Sequence, residues 1–437
     1  MAPQQSLSRK SILGYALLAP SIAFAELPLY LYLPKYYHLV FGLNLWTIGA
    51  ILLVIRSLDA IKDPFLGLGV DALRQRKITH RHIIALSIIP FIISYYLLFQ
   101  PLKAIDIAVC LSISLFFVHF FDSLITITYL SLGAAITDQY HERTRITAYR
   151  EGIKVIGVIL ASLLPVLFFQ GEADPQKMVY SFQVTTFVLA VLMIVGGYLF
   201  YQWSPSPLII QSVPSTSLSL REVFKGAMKD KPFRSLIFIY GVNSLASGIA
   251  ATLFFFFIDH ILKGSSYTFI FLLIYFVAAL LGMGVWTKLA KIRSKRLSWL
   301  VGMVLSIIVY SYAFWLKEGD LIPYGFICLF SGLCLGADVA IPPAIFADVI
   351  DHIDPSKKRH SGYFGIWNVT TKLTIAFAAA IPLTLLDYFG FSQNPESVFG
   401  LKMLSISYAL IPCCFKILAT VTLYYSSIDQ EKTHETA

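Results

Sequence analysis

Charge is scarce in this sequence. Only 14% of its 437 residues are Asp, Glu, Lys or Arg, whereas 57% are hydrophobic and 15% are aromatic. Ordinary soluble domains carry about 25% charged residues. The composition therefore excludes an ordinary soluble enzyme and indicates an integral membrane protein.

The sequence also lacks the residue patterns of a catalytic or metal centre. Its five cysteines lie inside apolar segments without metal-type spacing, so they indicate neither a disulfide framework nor a zinc site. No nucleophile with its base and no glycine-rich phosphate loop is evident. The net charge of +9 does not indicate nucleic acid, because the basic residues lie in short loops such as 74–77 and 291–296. We therefore expect no enzyme activity, no cofactor and no nucleic-acid partner.

Long apolar segments are abundant. About twelve are long enough to cross a bilayer as helices, and they are much longer than the roughly ten-residue strands of a membrane barrel. The first has the length of a full span without a small-residue cleavage site after it, so we interpret it as a helix rather than a signal peptide. The predicted spans are Ile12–Tyr37, Leu45–Leu68, Ile83–Phe99, Ile107–Ile136, Ile146–Phe169, Val179–Trp203, Leu236–Ile258, Tyr267–Ala290, Leu297–Leu316, Leu321–Ile345, Tyr363–Leu386 and Phe399–Tyr425.

The basic residues fall mainly in alternate loops, which predicts that both termini are cytoplasmic. Hydropathy drops in the middle of the chain, and this predicts a six-helix bundle at 1–203, a cytoplasmic linker at 204–232 and a second six-helix bundle at 233–437. A faint repeat relates the halves, since Gly67-Leu-Gly69-Val70 is echoed by Gly282-Met-Gly284-Val285. Parallel six-helix repeats with the site between them are typical of transporters.

Asp59 and Asp63 lie in the middle of the second apolar segment, together with Arg56 and Lys62. Their spacing of four residues places both acids on one face of a helix, one turn apart. Charge at this depth is costly unless it is paired or lines a wet cavity, so the cluster indicates a functional site. The alternative is a pair of self-neutralising i,i+3 contacts without a further role.

The residues around this cluster resemble a known family. The stretch Arg56-x-x-Asp59-Ala60-x-x-Asp63-Pro64-x-x-Gly67-x-x-x-Asp71 is similar to the second-helix signature of the glycoside-pentoside-hexuronide:cation symporters, the melibiose-permease-like branch of the major facilitator superfamily. The similarity continues at Tyr129-x-Ser131-Leu132, through 138–150, at Ala347-Asp348-x-x-Asp351 and at Lys372. The resemblance implies an all-α membrane protein with twelve transmembrane helices in two six-helix bundles.

In that family, the acids matching Asp59 and Asp63 ligate a coupling Na⁺, Li⁺ or H⁺, with help from an Asn and a hydroxyl. The hydroxyl falls at or near Ser123, but the Asn position is occupied by Lys62. A hard cation requires oxygen ligands and is repelled by an ammonium group. Lys62 therefore either replaces the cation, leaving a uniporter or exchanger, or modulates coupling to H⁺.

The acids that bind sugar in the family are also displaced. The expected positions hold Ala23 and Thr126, but Glu26 and Asp122 each lie about one helical turn away, roughly 5 Å. The sequence thus predicts a reshaped substrate site that includes Glu26, Asp122 and Thr126. The alternative is that the two acids are gating or structural partners of Arg56 or Lys154.

Further polar residues are predicted at the substrate and at the gates. His119, three residues before Asp122, either relays protons with it or bonds to a backbone carbonyl. The bases Arg150, Lys154 and Lys372 are candidates for an anionic substrate group, and Asn243, Asp338 and Asn368 for lining a cavity. We expect a clasp of charges between helix ends, formed by Arg56, Asp71, Arg74, Arg76, Asp138, Arg143, Arg145, Asp351 and Arg359.

These features predict a secondary active transporter of a small organic solute such as a sugar, a sugar acid or another organic anion, with H⁺ or Na⁺ as possible coupling ion. One alternative is a carrier of lysolipids with the same fold. A second is a prenyltransferase-type membrane enzyme, which the aspartate-rich stretches at 59–71 and 348–354 superficially resemble. The span count, the repeat and Lys62 argue against it. We expect a monomer in a bacterial inner membrane.

Overall fold

The computed structural model describes residues 8–102, 104–136, 140–169, 174–205, 228–353, 360–391, 394–395, 397–426 and 428. These residues form long helices joined by short loops. The α-helices are α1 Arg9–Ala16, α2 Ala19–Leu31, α3 Leu33–Phe41, α4 Leu45–Gln75, α5 His80–Phe99, α6 Ile107–Ala135, α7 Tyr140–Phe169, α8 Pro175–Trp203, α9 Lys231–Phe257, α10 Thr268–Ile292, α11 Lys295–Ser311, α12 Leu321–Ile353, α13 His360–Tyr388, α14 Val398–Ser405 and α15 Ile411–Tyr425.

Eleven helical segments in the described part of the chain are long and apolar enough to cross a membrane. The twelfth long helix, α4, has 31 residues but carries Arg56, Asp59, Lys62 and Asp63 in its middle. Those charges make it less uniformly apolar than the other spans. With α4 included, the segments correspond to the twelve spans expected from the sequence.

Local sequence explains how several helices begin and end. The first span is divided into α1, α2 and α3, with prolines near the starts of α2 and α3 and Pro28 inside α2. A proline removes one backbone donor and tends to bend or break a helix. The Asp106 and Asp174 side chains cap α6 and α8 by accepting hydrogen bonds from the first free N–H groups.

The chain divides into two compact units. Unit 1 contains α1–α3, the part of α4 from Ile55 onwards, and α5–α8, and within it α2 packs against α7 and α5 against α6 and α8. Unit 2 contains Asn44–Val54 and α9–α15. The domain limits at 203 and 233 remain predictions, and most of the predicted linker, residues 206–227, lies outside the described part of the chain.

The tightest helix pair in unit 2 is formed by α10 and α12. Small residues permit the close approach, because a Cβ added to Gly282 would overlap the carbonyl oxygen of Leu333, and one added to Gly336 would overlap the backbone at Met283. Close packing through small residues is a principal source of association between helices in lipid. The position of α12 therefore depends on these glycines.

Gly282→Ala should destabilise the protein, because the added methyl group forces α10 and α12 apart. Gly284→Ala, on the same helix, is the matched control, since no atom lies within 4 Å of the Cβ position there. Alanine is also the better helix former by roughly 1 kcal/mol. We expect a lower melting temperature for the first variant of the purified protein and an unchanged or higher one for the second. Equal melting temperatures would contradict this account of the interface.

Candidate functional site

The polar cluster that stands out in the sequence lies on α4 and α6 of unit 1. The helix α4 continues from Leu45 to Gln75, so residues 59, 62 and 63 share one helical face. The helix α6 presents His119 and Ser123, one turn apart, toward that face. Asp59 is 5% exposed and Ser123 is 3% exposed, so the cluster is buried inside unit 1.

The ammonium group of Lys62 is surrounded by oxygen atoms. It is bonded to the Asp59 carboxylate and donates to the carbonyl oxygen of His119 at 3.0 Å and to the Ser123 hydroxyl at 3.0 Å. The carboxylate of Asp63 lies 3.6 Å from the same nitrogen. Carboxylates, a hydroxyl and a carbonyl are the ligands that a hard metal cation prefers. The lysine thus places its positive charge within a set of oxygens suited to a bound ion.

Two further contacts hold the Asp59 carboxylate in place. The Ser123 hydroxyl donates to Asp59 Oδ1 at 3.1 Å while it accepts from Lys62. The imidazole Nδ1 of His119 lies 3.9 Å from Asp59 Oδ2. Because both α4 and α6 contribute, the cluster bridges the two helices. The carboxylates would lose their compensating charge if the lysine were removed.

Arg56 and Glu26 lie beside this cluster. The guanidinium of Arg56 is 7% exposed and donates through Nη2 to the carbonyl oxygen of Leu29 at 3.2 Å. It interacts electrostatically with Asp59 and with Glu26, whose side chain is exposed. The role of Glu26 as a partner of Arg56 stays a prediction. A role of Glu26 in substrate binding stays a prediction.

The two substrate residues predicted on α6 are half-buried. Asp122 interacts electrostatically with Tyr95 of α5. Thr126 lies one turn further along, and its hydroxyl oxygen is buried without a hydrogen-bond partner among the residues that the structure describes. A buried hydroxyl without a partner is costly unless a ligand or water satisfies it.

The two basic residues predicted on α7 have different surroundings. Arg150 pairs with the neighbouring Glu151 at 2.7 Å and interacts with the hydroxyl of Tyr15 on α1. Tyr15 is in turn stacked on Tyr129, with 4.4 Å between the ring centroids. Lys154 is half-buried one turn further along α7. Arg150 therefore connects the first helix to α7, and its predicted contact with a substrate remains a hypothesis.

A second buried ion pair lies in unit 2. Lys416 of α15 donates to Asp338 Oδ2 at 2.6 Å and to Asn243 Oδ1 at 2.9 Å. The indole N–H of Trp299 donates to Asp338 Oδ1 at 3.0 Å. Asp338 and Asn243, which the sequence predicts as cavity-lining, are thus bound to a common lysine.

The sequence interpretation missed Lys416 and Trp299. The sequence did contain a signal for Lys416, because this lysine interrupts the last apolar span in the same way that Lys62 interrupts the second. No family motif drew attention to it.

The remaining predicted residues of unit 2 lie on α13. Asn368 is exposed and Lys372 is half-buried. Next to them, Trp367 stacks on Tyr240 of α9 with 3.8 Å between ring centroids, and Tyr240 shares a hydrogen bond of 3.0 Å with Thr371. The structure therefore places Asn368 and Lys372 on a helix that is fixed to α9 by aromatic stacking.

Much of the predicted clasp falls outside the described part of the chain. Asp138 and Arg359 lie outside the described residues, as do the side chains of Asp71, Arg143 and Asp351. Of the others, Arg76 is exposed, Arg74 and Arg145 are half-buried, and Arg56 belongs to the α4–α6 cluster. A charge pair absent from the sequence prediction joins Lys295 of α11 to Asp348 of α12 at 2.6 Å.

The chain is similar in sequence to known transport proteins. The sequence profile described as "MFS/sugar transport protein" matches residues 14–430. The chain is 26% identical to the glucuronide carrier protein homolog of Escherichia coli (strain K12), with 99% of this chain and 95% of that protein covered. It is 21% identical to the isoprimeverose transporter of Lactiplantibacillus pentosus, with 91% and 84% covered.

Solved structures confirm the fold. The chain superimposes on the crystal structure of the nucleoside transporter NupG with a TM-score of 0.67. The alignment covers 96% of this chain and 98% of that chain at 14% identity. At this identity the likeness establishes the all-helical major facilitator fold and carries no information about substrate.

The position of Lys62 predicts how the purified protein responds to Na⁺. Exchanging KCl for NaCl at constant ionic strength should not change the melting temperature of the native protein, because the ammonium repels a second cation among the same oxygens. Lys62→Asn removes that charge and supplies another oxygen, so Na⁺ should bind and raise the melting temperature.

The exposed Lys77→Asn is the matched control and should respond to Na⁺ as the native protein does. A native protein that Na⁺ stabilises over K⁺ would contradict this interpretation of Lys62.

Proposed function

The chain belongs to the MFS/sugar transport protein family, and we propose that the solute it carries is a sugar or a sugar acid. It is a multi-pass membrane protein and a secondary transporter of a small molecule, not an enzyme. The prenyltransferase-type alternative is therefore set aside.

Two relatives support this substrate class. One is named for a glucuronide and the other for isoprimeverose, which gives a sugar acid derivative and a neutral sugar as candidates. In unit 1, Asp122 and the buried Thr126 hydroxyl supply groups that can bond to sugar hydroxyls. Arg150 or Lys154 would bind a carboxylate, since guanidinium and ammonium groups form strong charge-assisted hydrogen bonds with it.

The contacts of Lys62 bear on the coupling ion. Lys62 is held by Asp59, Ser123 and the carbonyl of His119, so a positive charge is already present where a coupling ion would bind. We infer that Lys62 is a tethered substitute for Na⁺. Transport then follows the solute gradient, either as uniport or as exchange. Coupling to H⁺ is the competing possibility, because His119 adjoins the cluster and an imidazole ordinarily titrates near neutral pH.

The proposed cycle is alternating access, in which the two halves of the protein expose one substrate site to either side of the membrane in turn. Asp122 and Thr126 of α6 are the proposed substrate contacts of unit 1, and Asn368 and Lys372 of α13 are those of unit 2. The excess of bases in alternate loops supports cytoplasmic termini. A monomer in a bacterial inner membrane is the proposed setting, consistent with the bacterial sources of the relatives.

The substrate class predicts which ligands stabilise the purified protein. Only ligands that bind the folded form raise its melting temperature. We expect a rise with methyl β-D-glucuronide or a neutral methyl glycoside at millimolar concentration and none with a lysophospholipid below its micellar concentration. Asp122→Asn is the informative variant, since it should abolish the rise while leaving the ligand-free melting temperature close to native. A rise with the lysophospholipid alone would favour the amphiphile carrier instead.

The tethered charge predicts that transport is independent of Na⁺. Proteoliposomes preloaded with the unlabelled glycoside found in the screen should take up the labelled compound equally fast in NaCl and choline chloride, at fixed pH and membrane potential. The rate of Lys62→Asn should differ between the two salts, because Na⁺ can now occupy the site. Counterflow by the native protein that rises steeply with Na⁺ would refute the inference. Accumulation of the solute driven by an imposed pH gradient would instead assign coupling to H⁺.

A further inference from the structure

The Asp338–Lys416 pair occupies a special place on α12. Asp338 lies in the middle of this helix, and Pro342 and Pro343 follow just over one turn later. In an α-helix each N–H bonds to the carbonyl four residues earlier, and proline has no N–H. Pro342 therefore leaves the backbone carbonyl of Asp338 without its helical donor. The turn that begins at Asp338 therefore lacks a backbone hydrogen bond that an uninterrupted helix would have.

The side chain at this turn is firmly held. Asp338 accepts from Lys416 of α15 and from Trp299 of α11, and Lys416 also bonds to Asn243 of α9. Two neighbouring helices thus bond directly to one residue of α12, and a third helix holds the lysine. Lys416 is 6% exposed, so the pair is shielded from solvent and from screening by salt.

The end of α12 beyond the prolines is held differently. Lys295 of α11 donates to Asp348 at 2.6 Å and to the carbonyl oxygen of Ala344 at 3.2 Å. The two charged side chains are 32% and 38% exposed. Exposed pairs contribute little and break easily. The helix is therefore anchored before the prolines by buried hydrogen bonds to charged groups. After them it is held by apolar packing, such as that of Phe346 and Ile350, and by this exposed pair.

The internal repeat relates Asp338 to a residue of the first half that also binds a buried lysine. The number of residues between Ser123 and Asp338 equals that between Gly67 and Gly282, which mark the repeat in the sequence. Asp338 thus corresponds to Ser123, which holds Lys62 in unit 1. Both halves therefore bury a lysine ammonium beside this position, with Lys62 coming from the second span and Lys416 from the last.

We propose that Lys416 is a positioning residue for transport: by fixing Asp338 it makes the turn at Pro342 and Pro343 the pivot about which the end of α12 moves. Removing the pair would let α12 bend elsewhere or not at one defined point. The helix would then bend at variable positions, and the rate of transport would fall. The role does not depend on which solute is carried.

The test measures the bend directly. Spin labels at positions 330 and 352 flank the prolines, and the native side chains Phe330 and His352 are both exposed. In an unbent helix these positions lie roughly 33 Å apart, within reach of pulsed electron resonance. The full-length protein, with its native cysteines replaced by alanine, would be examined in a lipid bilayer. The variants are Lys416→Met combined with Asp338→Asn, Pro342→Ala alone, and Lys402→Met at an exposed position of α14 as control.

We expect a different distribution of spin-label distances for each variant. The paired substitution removes both charges, so it avoids leaving one buried charge alone, and it should broaden the distance distribution. Pro342→Ala restores the missing donor and should narrow the distribution toward the unbent value. Lys402→Met should match the native protein. If the paired variant folds and shows the native distribution of spin-label distances, the proposal is overturned. The Asp338–Lys416 pair would then serve only in packing.

Pro342→Ala remains decisive if the paired variant fails to fold. A distribution identical to native in that variant would mean that α12 does not bend at this turn, which also overturns the proposal. Counterflow of labelled methyl β-D-glucuronide gives the second readout: turnover of the folded paired variant should fall about tenfold while the half-saturating concentration stays within about twofold. Native turnover in that variant would also overturn the proposal. If the native protein transports neither this compound nor a neutral methyl glycoside, the proposed substrate class fails, but the distance measurements still decide the role of Lys416.

Discussion

A charge inside a membrane protein must be matched by another charge or by polar groups, and this constraint organises the structure. Lipid offers no water to solvate an ammonium or a carboxylate. Lys62 and Lys416 are accordingly each bonded to an aspartate and to further oxygens contributed by other helices. The helices α4 and α6 in unit 1, and α9, α11, α12 and α15 in unit 2, are held in register by these contacts as well as by apolar packing. Breaking one partner of such a pair typically costs about 3–5 kcal/mol.

The helices and the position of the first cluster could be predicted from the sequence, because both depend on local patterns. Apolar length defined the spans, and the four-residue spacing of Asp59 and Asp63 placed them on one face. The direction of the Lys62 side chain could not be predicted. A lysine on that turn can extend toward either end of the helix, and the outcome depends on Ser123 and the His119 carbonyl, which come from a helix some sixty residues away.

The second cluster, around Lys416, shows another limit of prediction from the sequence. Asp338 and Asn243 were recognised as deep polar residues, but their common partner Lys416 lies on a different helix with no sequence pattern that links it to them. Likewise, Gly282 was noted only as part of a repeat, whereas its contact with Leu333 shows that it sets the spacing of α10 and α12. Gly67, its counterpart in the first half, has open space around it. Equivalent residues in a repeat therefore need not make equivalent contacts.

The covalent attachment of Lys62 also has an electrical consequence. A sodium ion released on the far side would carry one positive charge across the membrane in each cycle, whereas an ammonium on α4 returns with the protein and moves no net charge. Carriage of a neutral sugar would then be electroneutral and insensitive to voltage. In uniport, a sugar carboxylate would instead carry its own negative charge, so an inside-negative potential would oppose its entry by about 2.3 kcal/mol for each 100 mV. The same protein would favour export of the acid and equilibrate the neutral sugar.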